Sequence, residues 1–302
     1  MWPPLIKDLV PVSLKELNVW KHFKPVVFIF FPALAVTVYS VLDKTMIGFL
    51  AKNPDYANGC YEQAYKINSI ALLIVTIISP IYASRNSFEF AENHIKELER
   101  NIYSACNYVW AIAVPLMVGF WSLSGNLSFW FLGEGYIEVP LLLIIMSIRF
   151  LLSGFSEIFG NQLFVPIGKE KYPTIATLCA AVINFILNIF LIPLWGATGA
   201  AITTALAELT VVVVLIVYLK KEKFLDLKKI VNMSKKYILA AVIMFVCLEV
   251  LKRKFNYTIW SFMLLVFSGV VIYASVLIIV KEQFLLGLIR RELEKYKKDG
   301  NQ

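Results

Sequence analysis

The sequence predicts an all-α integral membrane protein of about eight transmembrane helices. Three observations carry that reading: a composition too apolar for water, apolar runs of bilayer length, and basic residues gathered in alternate connections. Of the 302 residues, 59% are hydrophobic and only 17% charged, with a mean hydropathy of +0.71. A soluble domain is nearer roughly 45–50% apolar and about 25% charged. A water-soluble fold of this length could not hide so much apolar side chain, whereas lipid can.

The apolar runs fall at 25–50, 64–83, 104–124, 138–158, 172–193, 197–219, 235–251 and 258–280. Each is near the roughly 20 residues a helix needs to cross the hydrocarbon slab. Helix is the only suitable element, because backbone polar groups in lipid must be satisfied within the segment and the runs lack the alternation of a barrel strand. Of the 29 Lys and Arg residues, 22 lie in residues 1–24, 84–101, 159–171, 220–236 and 281–302. These stretches alternate with poorly charged ones, so the basic side is expected to be cytoplasmic, with both chain ends there. The trio Lys252, Arg253 and Lys254 is the exception. Two segments, 12–24 and 284–298, read as amphipathic helices on the membrane surface.

The net charge of +8 fits anionic headgroups better than nucleic acid, because the basic residues flank apolar runs. Cys60, Cys106, Cys179 and Cys247 are scattered, without metal-ligand or disulfide spacing. His22 and His94 fall in connections, and no hydrolase elbow, nucleotide loop or zinc-protease motif occurs. Neither an enzyme nor a cofactor is expected.

Charge at mid-bilayer costs at least about 2.5–3.5 kcal/mol on insertion scales, so each such residue needs a reason. Arg149 lies halfway along the fourth run, with Ser153 and Glu157 on its face. It could hold a phosphate or uronate bidentately, or pair with another helix. Glu208, midway along the sixth run, is an ion-coupling candidate or a counter-charge for Arg149. Asn184 and Asn188, an i, i+4 pair, either join helices or line a polar cavity. Asp43 and Lys44 close the first run. They point about 100° apart and need not pair with each other; Lys44 could simply snorkel. Glu62 and Lys66 read as a surface pair. Pro32, Pro115 and Pro166 next to Gly168 could loosen their helices.

Four stretches resemble the bacterial O-antigen and capsular polysaccharide flippases, a family in the superfamily that also holds multidrug extruders and lipid II flippases. They are KHFKPVVFIFFPALAVTVYSVLDKTMIGFL, GCYEQAYKINSIALLIVTIISPIYASRNS, GNQLFVPIGKEKYPT and INFILNIFLIPLWGATGAAITTALAEL. The last keeps Asn184, Asn188, Pro193, Gly196, Gly199, Ala200, Ala201, Thr204 and Glu208 in the family's spacing. The resemblance implies one six-helix lobe over 25–219, a terminal helix pair over 235–280, an amphipathic linker over 1–24 and a basic tail over 281–302. It further implies translocation of undecaprenyl-diphosphate-linked oligosaccharide across the bacterial inner membrane, with Arg149, Asn184, Asn188, Asp43 and Lys44 as cavity candidates. The first lobe of the family is expected to be missing, its place taken by a separately encoded lobe or a second copy. Other expectations are a drug or lipid extruder of the same superfamily, a membrane polysaccharide polymerase or glycosyltransferase, and a non-catalytic scaffold. The short outer connections disfavour the polymerase.

Overall fold

The computed structural model describes residues 41–282 together with 284, 286 and 287. The amphipathic helix at 12–24, most of the first run with Pro32, most of 284–298 and nearly all of the basic tail fall outside the described residues. Within them the fold is helical throughout: α1 (41–50), α2 (Pro54–Thr76), α3 (Ser79–Ala91), α4 (Ile95–Leu132), α5 (Val139–Phe159), α6 (Lys171–Glu222), α7 (Leu227–Leu251) and α8 (Ile259–Ile279). Pro54, Pro80 and Pro140 stand in the first two positions of α2, α3 and α5, where the missing N–H would have no helical partner anyway. Asp226 caps α7 by accepting from the backbone of Lys228 at 2.8 Å, and Thr258 caps α8 by accepting from Ser261.

Five helical stretches are long and apolar enough to cross a membrane: Pro54–Ala91, Ile95–Leu132, Val139–Phe164, Lys171–Glu222 and Ile259–Ile279. The protein is a multi-pass membrane protein. α6, at 52 residues, would be about 78 Å long if straight, more than twice the hydrocarbon thickness. It is not straight. Gly196 has φ +56° and ψ −128°, a backbone conformation open to glycine and not to ordinary side chains. Asn184 and Asn188 both reach Thr203, so the halves α6a (171–195) and α6b (197–222) run back along each other. At the closest approach, a Cβ on Gly199 would stand 2.3 Å from the Leu191 carbonyl oxygen. The two expected spans at 172–193 and 197–219 are thus this hairpin.

α7 is not among the five, yet it crosses the same depth. Trp110 donates to the Ile230 carbonyl at 3.0 Å, and Ser122 donates to Glu249 at 2.8 Å. α7 therefore runs parallel to α4 from Trp110 to Ser122, about 18 Å of rise along α4. α8 returns: Trp130 packs on Phe262, and Tyr273 donates to the Ala111 carbonyl. The helices also outrun the apolar runs. The expected run 64–83 is split between α2 and α3, which meet at Ile77–Ile78, and α4 adds about two turns beyond 104–124 at either end. Hydropathy falls at charged or polar residues, but the helical hydrogen bonds continue through them. Of the expected hinge prolines, Pro115 lies inside α4, whereas Pro166 follows the π-type turn Gly160–Phe164 that ends α5.

The connections sort to two ends. One gathers 92–94, 160–170, 223–226 and 281, joined by Asn86 to the Gln162 carbonyl, Asp226 to Tyr103 and Lys236 to the Lys281 carbonyl. It is the basic end. The other gathers 51–53, 133–138, Gly196 and 255–258. Between them lie three apolar clusters: one around Ile102, Phe150, Phe164 and Leu215, one around Ile47, Tyr61, Leu142, Met146 and Ala200, and one joining α4 to α7 and α8.

Candidate functional site

The residues that carry charge or amide into the bilayer meet in two layers, four residues apart along both α2 and α6b. In the first layer Asp43 of α1 is wholly buried. Its carboxylate accepts from Tyr61 Oη at 2.7 Å, Thr204 Oγ1 at 2.6 Å and Asn188 Nδ2 at 2.6 Å. Asn188 in turn donates to Asn184 Oδ1 at 3.2 Å and accepts from Thr203. Thr203 and Thr204 also reach the Ala200 carbonyl at 2.8 and 2.9 Å. These three donors to Asp43 are all neutral. The hydrogen bonds make the carboxylate geometrically content, but none of them cancels its charge.

In the second layer Arg149 Nη2 lies 3.5 Å from Glu208 Oε1, with both side chains more than nine-tenths buried. The guanidinium also stands over the Tyr65 ring at 5.3 Å. Tyr65 stacks on Tyr61 at 6.2 Å, with ring planes 19° apart. Thus Tyr61 and Tyr65 on α2, and Thr204 and Glu208 on α6b, each span the two layers by one helical turn.

The structure brings Asp43, Asn184 and Asn188 together and sets Arg149 against Glu208. Lys44 does not join them. It pairs with Glu62, which also meets Lys66 at 3.2 Å, in a partly exposed group toward the end opposite the basic one. Lys44 keeps one tie to the interior, with its ammonium 5.4 Å from the centre of the Tyr65 ring. Of the residues placed on the face of Arg149, Glu157 instead accepts from Ser79 at 2.7 Å and Asn161 at 2.9 Å. Tyr61, Tyr65 and Thr203 had no place among the sequence candidates. Their signal was present: two tyrosines at i, i+4 beside the small residues Cys60 and Ala64, and a Thr-Thr pair soon after a tight reversal.

Among the described residues no group of three His, Cys, Asp or Glu side chains could hold a metal ion. A small hard cation can use a wider set, since it prefers carboxylate, amide, hydroxyl and carbonyl oxygens. Asp43, Asn184, Asn188, Thr204 and the Ala200 carbonyl present that set.

A second feature shares α2 with these layers. A groove of about 670 Å³ runs between α2, α4, α7 and α8, lined by Ile67, Ile74, Pro115, Phe120, Leu248 and Val266 among others. From Phe262 to Leu277 it follows roughly 22 Å of α8. Its walls are almost wholly apolar.

Among the described residues, then, the chain is an all-helical membrane bundle with buried charge in its interior and a long apolar groove on its flank. The sequence signature of the lipid II flippase MurJ family matches residues 60–271, and the chain belongs to that family. It is 25% identical over 169 residues to the probable low-salt glycan biosynthesis flippase Agl15 of Haloferax volcanii, a match covering 56% of this chain and 35% of that protein. Its fold is similar to the lipid II flippase MurJ in an inward closed conformation, with a TM-score of 0.67 and 20% identity, over 96% of this chain and 59% of the other. The chain therefore spans between about a third and three-fifths of the length of these relatives.

Proposed function

We propose that the chain works in flipping a lipid-linked saccharide across a bacterial cytoplasmic membrane, with the basic end facing the cytoplasm. The single observation that carries this reading is the pairing of a long apolar groove with a buried guanidinium layer in one bundle of the MurJ family. The groove suits a long hydrocarbon tail. Arg149 suits an anionic linkage such as a diphosphate, provided the ligand displaces Glu208 from it. The relatives' names point to the same chemistry, lipid II in one case and a glycan in the other. The O-antigen or capsular repeat unit, linked through undecaprenyl diphosphate, is the substrate the sequence resemblance favours.

Asp43 supports an ion-driven cycle. An anionic carboxylate in hydrocarbon, met by neutral donors, is stabilised by taking up a proton or a small cation. Glu208, the candidate favoured by position in the sequence, already faces a guanidinium. The coupling role fits Asp43 better. Alternating access also requires a second bundle to rock against this one. That bundle is an N-terminal lobe, in the same polypeptide or separately encoded, or a second copy.

The test is a flipping assay in vesicles containing the complete assembly and a fluorescent undecaprenyl-diphosphate saccharide. The expected result is exposure of label on the opposite leaflet, at a rate cut at least about tenfold by Arg149→Ala and less by Arg149→Lys. Export of small amphipathic cations with no movement of the saccharide would replace this reading with the extruder one.

A further inference from the structure

We infer that the ionic state of Asp43 sets the position of Arg149, and that the Tyr61–Tyr65 and Thr204–Glu208 pairs carry the linkage. This rests on the reading of Asp43 as the ion site. It adds a positioning role for Tyr65, a residue outside the set of oxygens that surrounds Asp43.

The geometry gives two connections between the layers. On α2, the Tyr61 hydroxyl donates to Asp43 at 2.7 Å, its ring stacks on Tyr65, and the Tyr65 ring carries Arg149 on its face at 5.3 Å. On α6b, Thr204 donates to Asp43 at 2.6 Å, and Glu208, one turn on, meets Arg149 at 3.5 Å. Both routes begin on Asp43 Oδ2 and end on the guanidinium. Every side chain along them is buried except Tyr65, which is partly so.

The hydroxyls give the linkage two states. With Asp43 bare, Tyr61 and Thr204 both point their hydrogens at the carboxylate. A sodium ion on Asp43 needs oxygen lone pairs instead. Thr204 can then donate to the Ala200 carbonyl, 2.9 Å away, and Tyr61 to Thr204, 3.1 Å away. A cation lodged between the Tyr61 oxygen and Oδ2 does not fit their 2.7 Å spacing, so the oxygen backs away from Oδ2 and its ring moves with it. Close-packed interiors do not absorb such shifts smoothly, so Tyr65 follows and the ring face it offers the guanidinium changes. A cation at Asp43 thereby biases Arg149 between the Glu208 carboxylate and an incoming anion. Linkage makes the effect mutual: whatever alters Arg149 alters ion affinity at Asp43 by the same factor.

That reciprocity gives a test on the purified full chain in detergent, without transport. Sodium affinity is read from the rise of the melting temperature with sodium chloride against choline chloride. Arg149→Lys keeps the charge but loses the planar contact with the ring. It is expected to change the apparent sodium affinity at least about fivefold in the wild-type background and less than about twofold beside Tyr65→Leu, a non-additivity that reports the coupling. Tyr65→Phe, which keeps the ring, restores the wild-type shift. Equal shifts with and without Tyr65→Leu, or no shift in either background, overturn the coupling while leaving the ion site standing. Absence of any sodium or pH dependence of melting in the wild type, unchanged by Asp43→Asn, overturns the ion site and the coupling together. A Tyr65→Leu chain that does not fold is replaced by Tyr65→Met, which also removes the ring, and for which the same loss of the Arg149→Lys effect is expected and its persistence overturns the coupling.

Discussion

Asp43 and Arg149 are both charged, both buried and about one helical turn apart in depth, yet they are held in different ways. Arg149 faces a carboxylate. Asp43 is met by three neutral donors. Removing one member of a buried ion pair costs about 3–5 kcal/mol, because the remaining charge loses its partner. Glu208→Gln is accordingly expected to destabilise the chain by about 3 kcal/mol, read from chemical denaturation in mixed micelles. Asp43→Asn should behave otherwise, since the amide keeps the shape and sheds the charge, and the Tyr61 and Thr204 hydroxyls can turn to accept from its NH2. The expected outcome is a chain that melts at or above the wild-type temperature and no longer responds to sodium. A sodium response surviving in Asp43→Asn would move the ion elsewhere. Asp43, Arg149 and Glu208 stand out in the sequence because charge within an apolar run is visible without a structure. That Glu208 would face Arg149 was one of two readings open in the sequence, because the pairing depends on how α5 and α6 pack. Tyr61 and Tyr65 stayed hidden for a related reason, as tyrosine is an ordinary residue near membrane surfaces.

At the scale of the element, the deciding features are close approaches. Gly199 allows α6b to lie on the Leu191 backbone, so Gly199→Ala has no side chain opposite it that can give way. A cost of about 3 kcal/mol is expected, at the upper end of overpacking effects, with loss of the Asn184–Thr203 and Asn188–Thr203 contacts. Gly154 differs. A Cβ there would meet Val109 Cγ1 at 2.8 Å, a side chain that can be trimmed. Gly154→Ala should therefore lower the melting temperature, and Val109→Ala should restore most of it. A double variant no more stable than the single one would show that Val109 is not the obstacle between α5 and α4. Spans at 138–158 and 258–280 were legible almost to the residue, because α5 and α8 are apolar along nearly their whole length. α2, α4 and α7 were less so. Their helices continue through charged residues that a hydropathy reading takes as connection, and α7 holds Lys228, Lys229, Lys235, Lys236 and Glu249 within a helix that still crosses with α4.

For the whole molecule, the alternation of basic and non-basic connections predicts a topology, and the described helices sort their connections to two ends in the same pattern. The exception, Lys252 to Lys254, has a local explanation: Lys252 pairs with Glu249 at 2.5 Å and donates to the Ser122 carbonyl at 3.1 Å, so one of the three charges is compensated. The orientation is checked by thiol labelling of intact cells, in a chain freed of its four cysteines. Asn256→Cys is expected to react with a membrane-impermeant maleimide, and Lys223→Cys only after lysis. The reverse pattern would turn the bundle over.

What joins these scales is the claim that one bundle holds a site for a hydrocarbon tail beside a site for an anionic head. A lipid-linked diphosphate saccharide with a photoreactive diazirine in its tail, irradiated with the membrane-embedded protein and mapped by peptide mass spectrometry, tests it most directly. The expected adducts fall on the groove, at Pro115 and Phe120 of α4 and at Val266 to Leu277 of α8, and are competed by unlabelled lipid-linked saccharide. Adducts confined to the exposed apolar faces of α6, at residues such as Phe190 and Val213, and competed equally by ordinary phospholipid, would contradict it.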